Sequence, residues 1–478
     1  MAALTHGQTE HFYWRKCMKP LYVVAILVQS FCLLSCYYES DLTSSPLDEN
    51  SIKLGIAQAL RGNPINLQGQ AATMAADEIN AAGGINGVDI ELIIRDSGCS
   101  SSIAPDEVQR MIDDHQVVAI VGPTCSSGAK VIITDILSYE NVPTMGTTTT
   151  SPDLTTLDTN GLFYRLRTSD LVQISTLVEE IISDGVTQLA IIHRGGNDVF
   201  NIAIAQGLMA QFNAQIGTQG STIVDYPEAS LTDFHVEVNE LFDAGSFDGI
   251  AIIGFPVDST GVAASVALEM SNRGIARSDL NGVYINLIPG INDSVLLPIY
   301  LELLTGSKSI RFSEPSNLTA PNFSNWLVDF NARYPNTNFT LLNEDNTGKQ
   351  YAYDGVYLMA LAMLQGGVTQ ETSVADTRSL ILDNLTQVSG SAALAGAVEI
   401  KPGEFALAIS TLESGGTINY NGASGLIDFD EFGEVNYADL QVMEAVQENQ
   451  KIMYSCLRGV RIFATPQGFD SEAAACLP

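Results

Sequence analysis

Between residues 52 and 286, short β-rich runs alternate with amphipathic runs of helical spacing, and this alternation leaves few folds open. Residues 52–57 predict a strand, 70–82 a helix stopped by Gly83-Gly84, 89–95 a strand, 105–114 a helix and 117–121 a buried strand. A helix over 128–139 and a short strand over 142–145 end this first series. A second series follows: helices at 171–183, 202–212, 234–242 and 262–273 alternate with strands at 189–193, 222–225, 249–253 and 283–286. A strand that is followed by a helix returns to the sheet parallel to its predecessor, with helices covering both faces. Two series therefore predict two α/β lobes, each a mostly parallel sheet flanked by helices. The length of 478 residues also exceeds what one core usually holds.

Helices are predicted at 323–334, 352–365 and 377–385. A Gly- and polar-rich stretch, 415–425, then leads into β-like runs at 426–429 and 435–440. A crossing near residues 311–315 separates the late helices from the second series and assigns them to the first lobe. The expected organisation is lobe I from 51–167 plus 314–425, lobe II from 168–313 plus 426–450, and a C-terminal tail over 451–478.

The N-terminus speaks to location. Arg15, Lys16 and Lys19 precede an apolar stretch from Leu21 to Leu34, closing on Leu33-Leu34-Ser35-Cys36. A basic start, a short apolar run and a cleavage point describe an export signal, and the run is short for a membrane span. Leu-Leu-Ser-Cys also resembles a bacterial lipobox, in which Cys36 carries lipid and opens the mature chain. Residues 1–35 are thus expected to be a lipoprotein signal peptide and 36–50 a polar tether. Met18-Lys19-Pro20 makes a more typical start, so 1–17 read as an upstream extension. The competing reading is a plain secretory signal with a chance cysteine.

The formal charge of −33 repels nucleic-acid backbones and anionic headgroups and argues for solubility, not for a particular fold. Of seven cysteines, Cys17 and Cys32 leave with the signal and Cys36 is lipidated. Cys99, Cys125, Cys456 and Cys476 are left. An even count in an exported chain suggests two disulfides, with three pairings possible.

Several segments in this order resemble the branched-chain amino-acid binding proteins of bacterial ABC transporters: QAATMAADEINAAGGIN over 70–86, 96–99, VGPTCSS over 121–127, GTTTTSPDL over 146–154, 351–364, and 422–429 followed by Gly433. The resemblance runs from the tether to about residue 450. It implies a periplasmic-binding-protein-like fold in which two Rossmann-like lobes, joined by three crossover segments, close like a flytrap on a ligand. It also implies a disulfide between Cys99 and Cys125, so the expected pairing is Cys99–Cys125 with Cys456–Cys476.

The best-matched segments suit binding. Gly122–Gly128 follows a buried strand and opens a helix, whose free N–H groups and positive dipole end favour an anion. Ser126 and Ser127 add uncharged donors; alternatively, one of them is an N-cap. By the resemblance, Thr148 and Thr150 grip the ligand's α-amino and α-carboxylate groups, against the alternative of a plain strand end before a Ser-Pro turn. Arg61, after the first strand, could pair with a carboxylate or form an exposed salt bridge. Lobe II departs from the family. Asn197-Asp198-Val199-Phe200 stands near a tyrosine position, Phe255 replaces another tyrosine, and the usual acidic partner of the ammonium group has no clear match past 283–290. Asp198 is the expected substitute.

Other chemistries find little footing. His115, His193 and His235 are far apart, no H-x-x-x-H or C-x-x-C spacing occurs, and no metal site or cofactor is expected. Lys130 sits at the wrong spacing for a P-loop, and Asp428-Phe429-Asp430-Glu431 reads as a polar turn, not a calcium loop. No G-x-S-x-G elbow is present, so an enzyme is not expected. The expected role is an exported, lipid-anchored monomer that captures an amino acid for an ABC permease of the inner membrane. It touches the membrane only through the anchor and binds no nucleic acid. The alternative is a ligand-sensing receptor of the same fold that controls a signalling partner.

Overall fold

The computed structural model describes residues 51–60, 67–227, 233–285, 298–312, 322–335, 348–389, 396–430, 432–435, 437–448, 451–465, 468–474 and 476. The expected signal peptide, Cys36, the tether and Arg61 lie outside the described residues.

The first sheet is all parallel: β1 (Ser51–Gln58), β2 (Asp89–Asp96), β3 (Ala119–Val121), β4 (Thr144–Gly146) and β5 (Phe163–Arg165), in the order β2-β1-β3-β4-β5. Alternation along β1 serves both faces. Ile52, Leu54 and Ile56 pack into one core. Gly55 faces the other way, where an added Cβ would sit 2.8 Å from the Met111 sulfur. The helix Leu67–Ala81 covers the first face and ends at Gly83 and Gly84, both with positive φ, as Gly84 N–H donates to the Ile79 carbonyl at 3.0 Å. The helix Ile103–His115 covers the second.

The second sheet begins with β6 (Leu189–Arg194), β7 (Ser221–Tyr226), β8 (Gly249–Ile253), β9 (Gly282–Ile285) and β10 (Lys308–Phe312). The helices Leu171–Ser183, Val199–Ile216, His235–Asp243 and Pro256–Arg273 alternate with its first strands, as the pattern predicts. The two faces of this sheet carry separate apolar clusters, one around Ile250 and Val266, the other around Ile191 and Leu208.

The chain then returns to the first core. Phe323–Arg333 and Val374–Val388 are helical and bring Phe323, Trp326, Ile381 and Leu385 against Ile52 and Leu54. The helix Lys349–Gln365 is buried from Ala352 to Leu364 and mostly apolar, its one buried carboxylate, Asp354, accepting the Tyr420 hydroxyl and the amides of Ala423 and Ser424. Strands β11 (Val398–Ile400), β12 (Ile418–Gly422) and β13 (Gly425–Leu426) form a small third sheet whose Tyr420 joins the same cluster.

Finally β14 (Tyr437–Glu448), β15 (Lys451–Thr465) and β16 (Gly468–Ala474) extend the second sheet, giving the order β16-β15-β14-β10-β9-β8-β6-β7. All three added strands pair antiparallel. Residues 451–465 and 468–474, expected to form a tail apart from the lobes, lie in this sheet. Val460 and Ile462 are buried in its core, and Cys456 is bonded to Cys476.

Two local differences stand out. The helix predicted at 128–139 is three pieces, Ser126–Ile132, Ser138–Glu140 and a wider π turn between them over Ile133–Leu137. Of the β-like run at 426–429, only the bridge from Phe429 to Val435 and the end of β13 pair.

Arg165 marks the first crossing between the sheets. It is 2% exposed, and its guanidinium donates to the carbonyl of Ser151 at 2.9 Å, to the hydroxyl of Thr155 at 2.7 Å and to the carboxylate of Glu434. Its amide donates to the Gly433 carbonyl at 2.8 Å. One side chain thus ties the first crossing to the third.

Candidate functional site

A cavity of about 540 Å³ lies beyond the carboxyl ends of the strands, walled by both lobes. That is where open parallel sheets place ligands. Ser126, Ser127, Thr148, Thr150, Asp198 and Phe255 all line it.

On lobe I, the turn after β3 is built by close approach. Gly122 has φ +114°, and a Cβ there would sit 2.1 Å from the Ala57 carbonyl oxygen. The chain then enters the helix at Ser126, with Cys125 as the preceding residue and no side-chain cap. Neither serine serves as N-cap; both stand inside the first turn. Ser126 Oγ instead accepts the Ser151 amide at 3.2 Å, which ties the serine loop to the threonine run. Thr148 does the same in reverse, donating to the Thr124 carbonyl at 2.7 Å. The threonines fall on two sides of the bend that follows β4. Thr147 and Thr149 are buried away from the cavity, Thr147 donating to Gln68 at 3.2 Å, while Thr148 and Thr150 line it. The expected bond between Cys99 and Cys125 is present and holds the loop 98–102 against the serine turn as one wall.

Asp170 was missed by the sequence reading. It follows the first crossing and is 1% exposed. Its amide donates to the Thr150 carbonyl at 2.8 Å, and the Thr150 hydroxyl bonds its carboxylate. The other carboxylate oxygen, Oδ2, has no hydrogen-bond partner among the described residues. Burial pushes this carboxyl up to about 7, against the pull of Thr150 and the positive Arg167 and Arg165. That oxygen is itself buried, in a residue that lines the cavity.

On lobe II, Arg194 ends β6 and pairs with Asp198 at 3.2 Å and with Asp258. Asp198 also caps the helix Val199–Ile216 by accepting the Asn201 amide at 3.2 Å. Its carboxylate is therefore engaged within its own lobe while still facing the cavity. Phe255, 38% exposed, lies parallel to Phe200 with ring centroids 6.1 Å apart, and the Arg194 guanidinium sits 5.2 Å from its centroid. Asp170 carried no local signal, because Thr150 lies 20 residues before it, and Arg194, although four residues from Asp198, takes its other carboxylate from the distant Asp258.

Among the described residues no group of three or more His, Cys, Asp or Glu could hold a metal, and no helix is long and apolar enough to cross a membrane. Asp430 accepts the amides of Phe432 and Glu434, each at 2.9 Å, which makes its segment a polar turn.

Known proteins are similar to this chain in structure or in sequence. A leucine binding protein, LivK, from Thermotoga maritima superposes with a TM-score of 0.58 at 17% identity, over 84% of this chain and 97% of that one. The chemotactic signal transduction system substrate-binding protein BasB of Halobacterium salinarum is 24% identical over 81% of this chain and 84% of its own length. An amino acid binding protein of Pseudomonas aeruginosa is 28% identical over 30% of this chain, which spans 38% of that relative's length. The fold is that of type 1 periplasmic binding proteins. The family described as periplasmic binding protein matches residues 51–401, and the chain belongs to it.

Proposed function

We propose that the protein is an extracytoplasmic solute-binding lipoprotein that captures an amino acid or a similar small polar ligand for an ABC importer. The observation that carries this reading is the shared cavity: the serine turn and the threonine run, joined by the Ser126–Ser151 bond, line it together with Asp170. A zwitterion fits such a wall. Its carboxylate takes the first-turn amides and the hydroxyls of Ser126 and Ser127, and its ammonium takes Thr148, Thr150 and the unused oxygen of Asp170. Lobe II closes over it by rotation about the crossings and brings Asp198 and Phe255 to the ligand. A few charge-assisted hydrogen bonds plus burial support micromolar binding, about −8 kcal/mol.

In this reading residues 1–35 are cleaved, Cys36 is lipidated, and the tether 36–50 spaces a monomer from the membrane. The partner is a permease of the inner membrane, and no reaction is catalysed.

Calorimetry of the purified protein against a panel of amino acids tests the reading. Saturable binding that disappears in Ser126→Ala/Thr148→Val supports it; a folded protein that binds no member refutes the ligand class. Similarity to a chemotactic substrate-binding protein over 81% of this chain favours a second reading, a receptor whose closure acts on a signalling partner. Co-purification of the ligand-loaded protein with a permease or with a membrane-bound signalling protein separates the two.

A further inference from the structure

The described lining of the cavity contains hydroxyls, charged groups and amides, but no leucine, isoleucine, valine, methionine or alanine. Among the described lining residues, the only large apolar side chains are those of Phe200 and Phe255. Little besides those two rings, among the described residues, offers a branched aliphatic side chain the apolar cover from which its affinity comes. The wall suits a planar group. The two rings are parallel to within 9°, and Phe255 keeps 38% of its surface exposed at the cavity. Arg194, fixed by Asp198 and Asp258, lies 5.2 Å from the Phe255 centroid and so holds the ring in place from within lobe II.

We infer that the protein selects ligands carrying an aromatic ring, which stacks on Phe255 and Phe200 when the lobes close, over ligands with branched aliphatic side chains. The inference rests on the proposed capture role for its setting, since the polar head must be held at lobe I for the side chain to reach lobe II. The two rings also sit on that lobe as starts of helices, Phe200 in the first turn of Val199–Ile216 and Phe255 just before Pro256–Arg273, so their placement is set by the backbone of β6 and β8. Stacked or edge-on aromatic pairs add about 0.5–1.5 kcal/mol beyond area burial, a factor of roughly two to twelve in affinity.

The test is calorimetric titration of the protein with phenylalanine, tyrosine, leucine and valine, and in a second arm with phenylacetate and isovalerate. Phenylalanine or tyrosine should bind several-fold more tightly than leucine, and Phe255→Leu, which keeps apolar bulk and removes the ring, should erase that preference. Leucine binding as tightly as phenylalanine, or an unchanged ratio in Phe255→Leu, overturns the inference while leaving amino-acid capture intact. Phenylacetate binding without any amino acid keeps the ring selectivity and removes the amino-acid reading. Binding of none of the six by folded protein defeats both.

Discussion

Asp170 and Thr150 are joined twice, the Asp170 amide donating to the Thr150 carbonyl at 2.8 Å and the Thr150 hydroxyl bonding the Asp170 carboxylate. The pairing sets a buried carboxyl beside the threonine run and leaves its Oδ2 without a hydrogen-bond partner among the described residues. It also fixes how that carboxyl responds to protons.

Unfolded, Asp170 titrates near 3.8; folded, burial raises it to about 7. Between those values the folded chain holds a proton that the unfolded chain releases, so stability falls as pH rises through the window and levels off above it. Asp170→Asn should remove this dependence and leave the free protein more stable at pH 8. Thermal melts of both proteins at pH 5 and pH 8 check it: an identical pH response in wild type and variant would falsify the assignment.

Binding should move the opposite way. A ligand ammonium needs the ionised carboxylate, so affinity should strengthen about tenfold or more from pH 5 to pH 8 and proton release should accompany binding below pH 7. Titrations in buffers of different ionisation enthalpy measure that release. Asp170→Asn should bind weakly at every pH.

Arg165→Met should destabilise the fold by about 3–5 kcal/mol, because it strands the Glu434 carboxylate and the Ser151 carbonyl in a buried crossing. Arg165→Lys should recover little, since one ammonium cannot reproduce the fork toward Ser151, Thr155 and Glu434. Chemical denaturation of the three proteins gives the comparison; wild-type stability in the lysine variant contradicts it.

The two disulfides should separate in their effects. Opening Cys99–Cys125, 26 residues apart, should cost about 3–4 kcal/mol in the chain-entropy picture and weaken ligand binding, because the bond pins one wall of the cavity to the serine turn. Opening Cys456–Cys476, which staples β15 outside the cavity, should lower stability by a similar amount and leave affinity for any ligand unchanged. Serine pairs at each site, melted and titrated side by side, decide the matter.

Gly122→Ala should be damaging by about 1–3 kcal/mol. A Cβ there meets the Ala57 carbonyl oxygen at 2.1 Å, in a backbone conformation that L residues avoid. Because the serine turn follows, ligand affinity should drop along with the melting temperature.

Much of the fold was legible because short apolar strands alternate with helical runs through residues 52–286. The helix predicted at 171–183 and the strand at 249–253 coincide with Leu171–Ser183 and Gly249–Ile253. The last strands were harder. In β15, Cys456, Leu457 and Arg458 interrupt the alternation, and the β14–β15 register shifts between Val442 and Met443, so the run does not announce a sheet. Within the site, hydroxyl-rich runs beside glycine were visible as segments. Asp170, Arg165 and Arg194 were not, for their roles come from Thr150, Glu434 and Asp258, which no local spacing connects to them.

The interleaving of the chain has a consequence for synthesis. The core under β1 needs Trp326, Tyr357 and Tyr420, and the sheet begun by β6 needs β14 to cover β10. Neither half can therefore seal its interior until the final third of the polypeptide has left the ribosome, and a nascent chain stays open to whatever machinery handles it before then.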